Sequence, residues 1–517
     1  MCRKAVIFFA LLVLYSSVGT VANAQDAKGV VTDVARAMGI TNLNSIQYSG
    51  RGYWFTFGQN YKPTEPWPKF TLKTYTRVLD FANGASEDKL AWVQFEPGER
   101  GGGFIPVKGE QSQDSFLSGD YAWNSGLNGG NGAFAPPLTG SAEERRLRLA
   151  ITPHGWVKAA MAASPTVDSK KTKIDGKEVR VISFTFDGKY RVKGYVDDQN
   201  LLQRVETWIP QSMLGDMPVE VTYTDYRDVS GIKFPGKIMQ KEGGFTTLDL
   251  TVTEVIPNAP VTIQVPEKAR KAQPPVSAVT EPVTDGVWIV RAGGVQSMGV
   301  EFKDYTLVVD AAGDEERSLA VISEMKKLAP NKPIGYVVNT HHHLDHSGGL
   351  RTFVAEGATI ITAEVNKPFY EKLFTLPFTI EPDRLAKNPQ PAKFVAVKDK
   401  YVLTDGTRSL ECYVLQNNTH DAGLLVAYLP KEKIMAVADS MVGGEPTLPP
   451  PDAPPPANIT NIGLRENLQD NIRRLKLDVQ QFVPMHGNGK TPFVGLQKQI
   501  EVEHAQLQTF ESSNKGN

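Results

Sequence analysis

The chain has 517 residues, of which 41% are hydrophobic and 22% are charged, and its formal net charge is −1. Because this length exceeds what one hydrophobic core usually serves, we expect two or three domains. A balanced charge with no run of Lys and Arg argues against nucleic acid and against an anionic membrane surface as partners.

The N-terminus has the pattern of a secretory signal peptide, predicted over residues 1–24. A basic pair at 3–4 precedes an apolar run over 5–15, and small residues before the junction of Ala24 and Gln25 suit a signal peptidase. We therefore expect cleavage at that junction and a periplasmic or secreted mature protein. We expect no integral membrane segment after cleavage, because no later run reaches the about 20 apolar residues that a spanning helix needs.

Residues 25–256 are predicted to form a β-rich N-terminal domain. Many short alternating segments, separated by turn pairs such as Asp187-Gly188, predict a large antiparallel sheet. A helical pattern over 142–163 interrupts them and is broken by Pro153. The stretch 96–140 is rich in Gly, Ser and Asn and is predicted to be an irregular loop.

The strand rhythm after residue 170 and the phrase YTDYRDVSGIKFP at 223–235 carry a first resemblance. They resemble the curved half-barrel sheet of periplasmic lipoprotein-carrier and related binding domains. That resemblance implies a half-barrel for the N-terminal domain.

A change of pattern separates the two halves of the chain. Residues 257–285 are rich in proline and are predicted to be a semi-rigid linker. Strands and helices then alternate over 286–510, which is typical of layered α/β packing. A low-complexity loop is expected at 446–456, and residues 511–517 are predicted to be a polar tail.

Cysteine usage is sparse, since one of the two cysteines lies in the predicted signal peptide and the other is Cys412. An exported chain with a single thiol has no intramolecular disulfide. Cys412 lies in an alternating segment over 410–415, which predicts a small buried side chain and not a reactive thiol.

Seven of the eight histidines lie beyond residue 340, and four ligand-type residues stand together in His341-x-His343-x-Asp345-His346. In extended backbone, alternate side chains share a face, so His341 and His343 can hold one metal ion while His342 points away. Asp345 and His346 open the next element and can hold a second ion. Four ligand-type residues within six positions at a strand-to-helix loop indicate a metal site far more specifically than one histidine pair would.

Three further ligand-type residues, His420, Asp439 and His486, each follow an apolar strand. A site at one sheet edge would collect side chains from the ends of several strands. Each residue alone is also typical of a turn or a cap. Together with the central cluster they favour a site for two metal ions.

Five segments, taken in order, resemble the motifs of the metallo-β-lactamase superfamily: Asp310, residues 340–349, His420, Ala438-Asp439-Ser440 and Met485-His486-Gly487. The resemblance covers about 286–510. It implies an αββα sandwich with metals at one edge between two sheets, and so an α+β chain in which this domain follows the antiparallel β-rich one.

The resemblance also implies which residues bind metal. One zinc ion would be held by His341, His343 and His420. The other would be held by Asp345, His346 and His486. Asp439 would bridge the two ions, while Asp310, Thr340 and Ser440 would support the ligands from behind.

Differences from the superfamily motifs reduce the number of branches that this sequence could resemble. The third motif position is His343 and not Glu, which argues against the di-iron, oxygen-reducing branch. No Cys follows the strand ending at Ala438, which excludes β-lactamases with a cysteine ligand. Asp439 followed by Ser440 fits the glyoxalase-, lactonase- and phosphodiesterase-like members, whose Asp bridges the metals. It also fits the histidine-rich, cysteine-free β-lactamases.

We predict an enzyme that uses two zinc ions per chain, with iron or manganese as substitutes. Zinc lowers the pKa of bound water from 15.7 to about 7, so a hydroxide bridging the metals could attack an ester, lactone, amide or related bond. The substrate would be a small molecule. Asp345 is the predicted catalytic residue, which orients the nucleophile and carries a proton to the leaving group.

Three alternatives stay open at this point. The chain could be a β-lactamase of the cysteine-free, histidine-rich type. It could be a mono-iron oxygenase similar to persulfide dioxygenases, using the three-histidine half of the site. It could also be a non-catalytic periplasmic binding protein whose N-terminal sheet holds an apolar ligand. The sequence leaves the oligomeric state and the identity of the substrate open.

Overall fold

The computed structural model describes residues 18–514 except 97, 99, 126–140, 169–171, 272–274, 445–446 and 451–452. Most of the predicted signal peptide, the end of the predicted tail and parts of the predicted loops at 96–140 and 446–456 therefore lie outside the described residues. No helix of the described part of the chain combines the length and the apolar character that crossing a membrane would require.

The N-terminal half is built mainly of strands, with three helices among its described residues. The helices are α1 (Val18–Ala37), α2 (Ser141–Ala150) and α3 (Pro153–Ala162). The strands are β1 (Ser45–Phe55), β2 (Lys69–Asp80), β3 (Ala85–Gln94), β4 (Val107–Gly109), β5 (Gln111–Ser118), β6 (Tyr121–Ser125), β7 (Thr166–Val167), β8 (Thr172–Ile174), β9 (Lys177–Phe186), β10 (Tyr190–Val196), β11 (Leu202–Gln211), β12 (Gly215–Val229), β13 (Ile232–Glu242) and β14 (Phe245–Pro257).

Thirteen of these strands form one antiparallel sheet in the order β6-β5-β3-β2-β1-β14-β13-β12-β11-β10-β9-β7, with β8 also paired to β9. Strands β9 to β14 follow one another as hairpins. Asp187 and Gly188, in the three-residue turn between β9 and β10, both have positive φ, a conformation that Gly adopts readily and Asp tolerates. Strand β14 then pairs with β1, which joins the two ends of this half.

Two sequence predictions for this half can be compared with the elements. Pro153 does break the predicted helix, since α2 ends at Ala150 and α3 begins at Pro153 with Thr152 as its cap. The prediction of an irregular loop over 96–140 is wrong for its described part, because β4, β5 and β6 lie there. Strand β5 reads QSQDSFLS, so its polar composition hid its pairing with β3.

The C-terminal half alternates helices and strands. Its helices are α4 (Glu267–Arg270), α5 (Glu315–Leu328), α6 (Leu344–Ser347), α7 (Leu350–Ala355), α8 (Lys367–Leu373), α9 (Arg384–Lys387), α10 (Leu464–Leu475) and α11 (Phe493–Asn514), with a 3-10 turn at Glu364–Asn366. Its strands are β15 (Val279–Thr284), β16 (Val287–Ala292), β17 (Val295–Glu301), β18 (Thr306–Val309), β19 (Ile334–Val338), β20 (Thr359–Ala363), β21 (Lys393–Val397), β22 (Lys400–Thr404), β23 (Ser409–Val414), β24 (Leu425–Leu429), β25 (Ile434–Val442), β26 (Asn458–Thr460), β27 (Gln481–His486) and β28 (Thr491–Pro492).

Two sheets form the centre of this half, a seven-stranded sheet β15 to β21 in chain order and a six-stranded sheet β22-β23-β24-β25-β27-β28. One apolar cluster, which includes Met298, Val309, Val437 and Met485, fills the space between them. Helices α5 and α7 cover the first sheet and α10 covers the second. The chain is therefore α+β, with an antiparallel β-rich half followed by an αββα sandwich.

The predicted linker at 257–285 contains regular structure. Strand β15 lies within it and pairs antiparallel with β16, with Pro282 opposite Trp288. Because β15 is an edge strand, its one proline, Pro282, removes no hydrogen bond that an inner strand would need. Proline content thus indicated a linker where the chain in fact begins the seven-stranded sheet. Likewise, α11 continues through Asn514 into the predicted polar tail.

The two halves contact each other at several places. Strand β4 pairs with β26, so one strand from each half makes a two-stranded sheet. The Asp216 carboxylate accepts backbone hydrogen bonds from Thr379 (2.9 Å) and Ile380 (3.1 Å). These contacts hold the end of the large sheet against the sandwich.

His154 is a core residue of the N-terminal half. Its ring stacks on Phe234 with 5.7 Å between centroids, and Nε2 lies 3.3 Å from the carbonyl oxygen of Met38. Burial lowers the pKa of His154 to about 4. The side chain is therefore neutral in the folded protein at neutral pH, and its position on α3 serves packing.

This lowered pKa predicts an acid-sensitive N-terminal half. The unfolded chain protonates His154 near pH 6.5 but the folded chain only near 4, so stability falls as the pH drops through that window. Between pH 7 and 5 we expect His154 alone to cost roughly 2 kcal/mol of unfolding free energy. Urea unfolding followed by tryptophan fluorescence would measure it, since every tryptophan except Trp288 lies in the N-terminal half.

The comparison variant is His154→Gln, which cannot titrate but keeps a donor for the Met38 carbonyl. All other groups titrate equally in both proteins, so the difference in their pH dependence isolates His154. Equal losses of stability in the two proteins between pH 7 and 5 would show that the assignment is wrong.

Candidate metal centre

The candidate ligands lie at the carboxyl ends of strands from both sheets of the sandwich. Strands β18 and β19 are parallel, so Asp310 and the loop that begins at Asn339 leave the seven-stranded sheet at the same edge. Strands β25 and β27 are also parallel, and they place Asp439 and His486 at the facing edge of the six-stranded sheet. His420 comes from the loop between β23 and β24.

Three buried histidines form a first group. His341 Nε2 lies 3.0 Å from His343 Nδ1 and 3.3 Å from His420 Nε2. Each of the three side chains is at most 3% exposed. Nitrogen atoms this close, facing one another in a buried site, suit a shared metal ion, since zinc binds imidazole nitrogen at about 2.0–2.1 Å.

A second group combines Asp345, His346 and His486. His346 Nε2 lies 2.9 Å from His486 Nε2 and 3.5 Å from Asp345 Oδ2. His346 is buried, whereas 48% of the Asp345 side chain and 30% of the His486 side chain are exposed. The second group is therefore the side of the centre that is open to solvent.

Asp439 lies between the two groups. Its Oδ2 is 2.9 Å from His346 Nε2 and 3.3 Å from His341 Nε2, and its Oδ1 is 3.2 Å from His486 Nε2. Among the described residues, Oδ2 is buried and has no well-directed hydrogen-bond partner. A buried carboxylate oxygen that lies against imidazoles of both groups fits a position between two cations.

Burial and mutual charge set the protonation of the centre. Burial, with the neighbouring imidazoles, lowers the pKa values of His341 and His343 well below that of free histidine, and burial also lowers the pKa of His420. Neutral imidazoles keep the lone pairs that a metal ion needs. Burial opposes ionisation of Asp439, but His346 and His420 outweigh it and hold its pKa well below the usual range.

His346 differs from the other histidines because it is surrounded by carboxylates. Burial alone would lower its pKa, but the charges of Asp439, Asp310 and Asp345 outweigh burial and raise the pKa well above that of free histidine. In the protein without metal, this imidazole therefore favours a second proton, which makes it a cation. A metal ion bound there would have to displace that proton.

Asp310 and Thr340 support the ligands from behind. Asp310 Oδ2 accepts a hydrogen bond from His346 Nδ1 at 2.5 Å, and Asp310 Oδ1 accepts one from the Thr340 hydroxyl at 2.9 Å. Thr340 Oγ1 also lies 3.2 Å from His341 Nδ1. Each contact holds the nitrogen opposite the candidate ligand atom and so fixes the direction of the ring.

Ser440 is connected to the ligand His420 through Asn418. Its hydroxyl lies 3.5 Å from Asn418 Nδ2, and Asn418 Oδ1 accepts the backbone N–H groups of His420 (2.8 Å) and Asp421 (3.2 Å). All four residues are buried. Ser440 thus contacts the loop that carries His420.

The structure adds residues that the sequence did not indicate. His342 points away from the centre, as predicted, and its Nδ1 pairs with Asp421 Oδ2 at 2.5 Å. Gln59 Nε2 donates to Asp345 Oδ1 (2.8 Å), and the backbone oxygen of Asn60 accepts from His343 Nε2 (3.0 Å). Both come from the N-terminal half, 286 and 283 residues away along the chain, and no sequence motif marks them.

Curated relatives match parts of the chain. The alpha subunit of a 2,4-dinitroanisole O-demethylase from Nocardioides sp. (strain JS1661) is 24% identical over 211 residues, 41% of this chain and 58% of that protein. A linear primary-alkylsulfatase from a Pseudomonas species is 39% identical over 75 residues, 14% of this chain and 11% of that protein. The chain thus spans well under two thirds of the length of either relative.

Solved structures similar to this chain include metallo-β-lactamases. One from Pontibacter korlensis is 18% identical and covers 44% of this chain and 99% of its own, with a TM-score of 0.32. One from Hirschia baltica is 15% identical and covers 44% of this chain and 98% of its own, with a TM-score of 0.33. The model of the metallo-beta-lactamase superfamily matches residues 290–486. The C-terminal sandwich, with its candidate metal ligands, is therefore the part of this chain that is similar to the metallo-β-lactamase superfamily.

Proposed function

We propose that the protein is a hydrolase that uses two metal ions, zinc in the first instance, on an ester, lactone, amide or related bond of a small molecule. The position of Asp439 is the observation that carries this proposal. Its carboxylate contacts imidazoles of both ligand groups at 2.9–3.3 Å. This favours a centre in which two ions share a bridging ligand over a site for one ion.

The ligands would divide between the two ions by group. His341, His343 and His420 would hold one ion, and Asp345, His346 and His486 would hold the other. When bound, such ions supply an activated water molecule and stabilise the oxyanion that develops on the substrate. The protein supplies fixed directions for its ligand atoms through Asp310 and Thr340, so the centre is organised before the substrate arrives.

Asp345 is the residue that we assign to proton transfer. Its side chain is the most exposed of the candidate ligands, at 48%. The imidazole of His346 outweighs the opposing effect of burial and lowers the pKa of the Asp345 carboxyl, so it is ionised at neutral pH. An ionised carboxylate on the open side can orient the attacking water and pass a proton to the leaving group.

The compounds to be assayed are chosen from the bonds that a two-metal hydrolase could cleave. A β-lactam, a lactone and a thioester represent acyl transfer. The names of the two relatives add a linear alkyl sulfate and a methoxylated nitroarene to the panel. Signal cleavage after Ala24 remains a prediction, so the assays should use the mature chain purified from an exporting host.

The first prediction concerns metal content and turnover. We expect mass spectrometry to find about two zinc ions per chain, and hydrolysis of one class in the panel that chelation abolishes and zinc restores. One iron ion per chain with no hydrolysis would contradict the proposal in favour of an oxygenase. Absence of both metal and turnover would favour a binding protein.

The second prediction concerns Asp310. Asp310→Asn keeps a residue that tolerates the observed φ of 76° but removes the charge facing His346 Nδ1. We expect the affinity for the metal ion on His346 to fall about 10–100-fold, measured by competition with a chromogenic chelator. Asp175→Asn, at a remote turn with φ 48°, is the matched control and should bind metal as the wild type does.

The third prediction concerns Asp345. Asp345→Asn retains a ligand oxygen but can neither accept nor pass on a proton, so we expect kcat to fall about 10²–10⁴-fold. KM for the same substrate should change much less. Asp478→Asn, which disturbs only an exposed pair with Lys433, should leave kcat unchanged. Unchanged kcat and metal content in Asp345→Asn would rule out the assigned role.

A further inference from the structure

Two segments of the N-terminal half lie against the metal centre. We call residues 56–61, which follow strand β1, the cap segment, and residues 101–103 the glycine segment. The carbonyl oxygen of Tyr61 accepts the N–H of Ala422 at 3.0 Å, and the N–H of Gly101 donates to the carbonyl oxygen of Thr419 at 2.9 Å. Both segments are thus tied to the loop that carries His420.

Gln59 of the cap segment determines which carboxylate oxygen of Asp345 faces the centre. Its Nε2 donates to Asp345 Oδ1 at 2.8 Å, and its Oε1 accepts the N–H of Gly103 at 3.0 Å. The backbone N–H of Gly103 can pair only with the oxygen of the Gln59 side-chain amide and not with its nitrogen. The amide group therefore has one orientation in which its hydrogen bonds to Gly103 and to Asp345 both form. Oδ1 of Asp345 is then occupied by Gln59, which leaves Oδ2 to face His346 Nε2.

The glycine segment makes room for this arrangement. A Cβ atom added to Gly102 would lie 1.9 Å from Gln59 Oε1 and 2.8 Å from His343 Cε1. Separations below 3.0 Å are not found for real Cβ atoms, so a side chain at this position would force Gln59 or His343 to move. Gly102 therefore permits Gln59 to lie over the centre.

Asn60 holds two neighbouring histidines. Its backbone oxygen accepts from His343 Nε2 at 3.0 Å, which directs His343 Nδ1 toward His341. Its side-chain oxygen lies 3.0 Å from His342 Nε2, while its amide nitrogen donates to the carbonyl oxygen of Glu65 at 2.8 Å. Asn60 is 2% exposed, so it is itself fixed by burial.

These contacts show that the two halves of the chain hold different atoms of the candidate ligands. Asp310 and Thr340 fix ligands from within the sandwich, but the outer nitrogen of His343 and one oxygen of Asp345 are held from the other half of the chain. We infer that Gln59 and Asn60 are positioning residues of the metal centre, so that the β-rich half completes a site whose metal ligands all lie in the sandwich. This inference rests on the proposed function only in that both concern the same centre.

Gln59→Met in the full chain tests the inference, because it keeps the length of the side chain and removes the donor to Asp345. We expect the affinity for the second metal ion to fall about 10–100-fold in a chelator competition. The visible spectrum of the cobalt-substituted protein should change, since Asp345 would be free to turn. Where a substrate has been found, kcat should fall with KM little changed.

Gly102→Ala is the second variant, and it acts on the same contact from the opposite side. It leaves Gln59 in the sequence but forces its amide or the neighbouring His343 ring to move, so we expect weakened metal binding and an altered cobalt spectrum. The matched controls are Gln47→Met, on strand β1 of the large sheet, and Gly29→Ala, where an added Cβ meets no described atom within 4 Å. Both controls should match the wild type.

The readouts separate this inference from the proposed function. If the wild type binds two ions and hydrolyses nothing in the panel, the proposed hydrolase is wrong, yet the affinities and spectra still test Gln59. If Gln59→Met and Gly102→Ala fold and bind metal as the wild type does, with the same cobalt spectra, the positioning role is overturned. A wild-type protein that binds no metal would overturn both.

Discussion

The structure of the metal centre depends on one buried negative charge, the carboxylate of Asp439. Moving a carboxylate from water into a protein costs several kcal/mol unless other groups compensate for it. Here the compensation comes from imidazoles on both sides, and His346 is the largest single contributor. In the absence of metal, a proton on His346 balances part of this charge. Two cations would balance it more fully, which explains why so many lone pairs converge on one buried carboxylate.

The fold brings these groups together through strand direction. Parallel strands β18 and β19 end at one edge of the first sheet, and parallel strands β25 and β27 end at the facing edge of the second. Ligands from distant parts of the sequence therefore come together without long connecting loops. Asp310 shows the local cost of this arrangement, since its φ of 76° is uncommon for an aspartate. Its two carboxylate oxygens then hold Thr340 and His346, which offsets that cost.

The sequence predicts the parts of the structure that local patterns specify. The motif from His341 to His346 is readable because its ligands are adjacent and follow an apolar strand. Strands β5 and β15 were missed because their polar or proline-rich composition hides their pairing partners. Gln59 and Asn60 were missed for a different reason. Amide side chains are common in turns, and their contacts with Asp345 and His343 arise only when two halves of the chain pack together.

That packing makes the centre asymmetric. The three-histidine group lies beneath Asn60 and is almost completely buried, whereas Asp345 and His486 remain partly exposed. Among the described residues, the second group is therefore the side of the centre more exposed to solvent, and Gln59 holds one oxygen of Asp345 there. The β-rich half thus lies at the entrance as well as behind the ligands. If the two halves moved apart, His343 and Asp345 would lose partners at the same time. If the centre binds metal as proposed, metal binding and the relative position of the two halves are coupled through the cap segment.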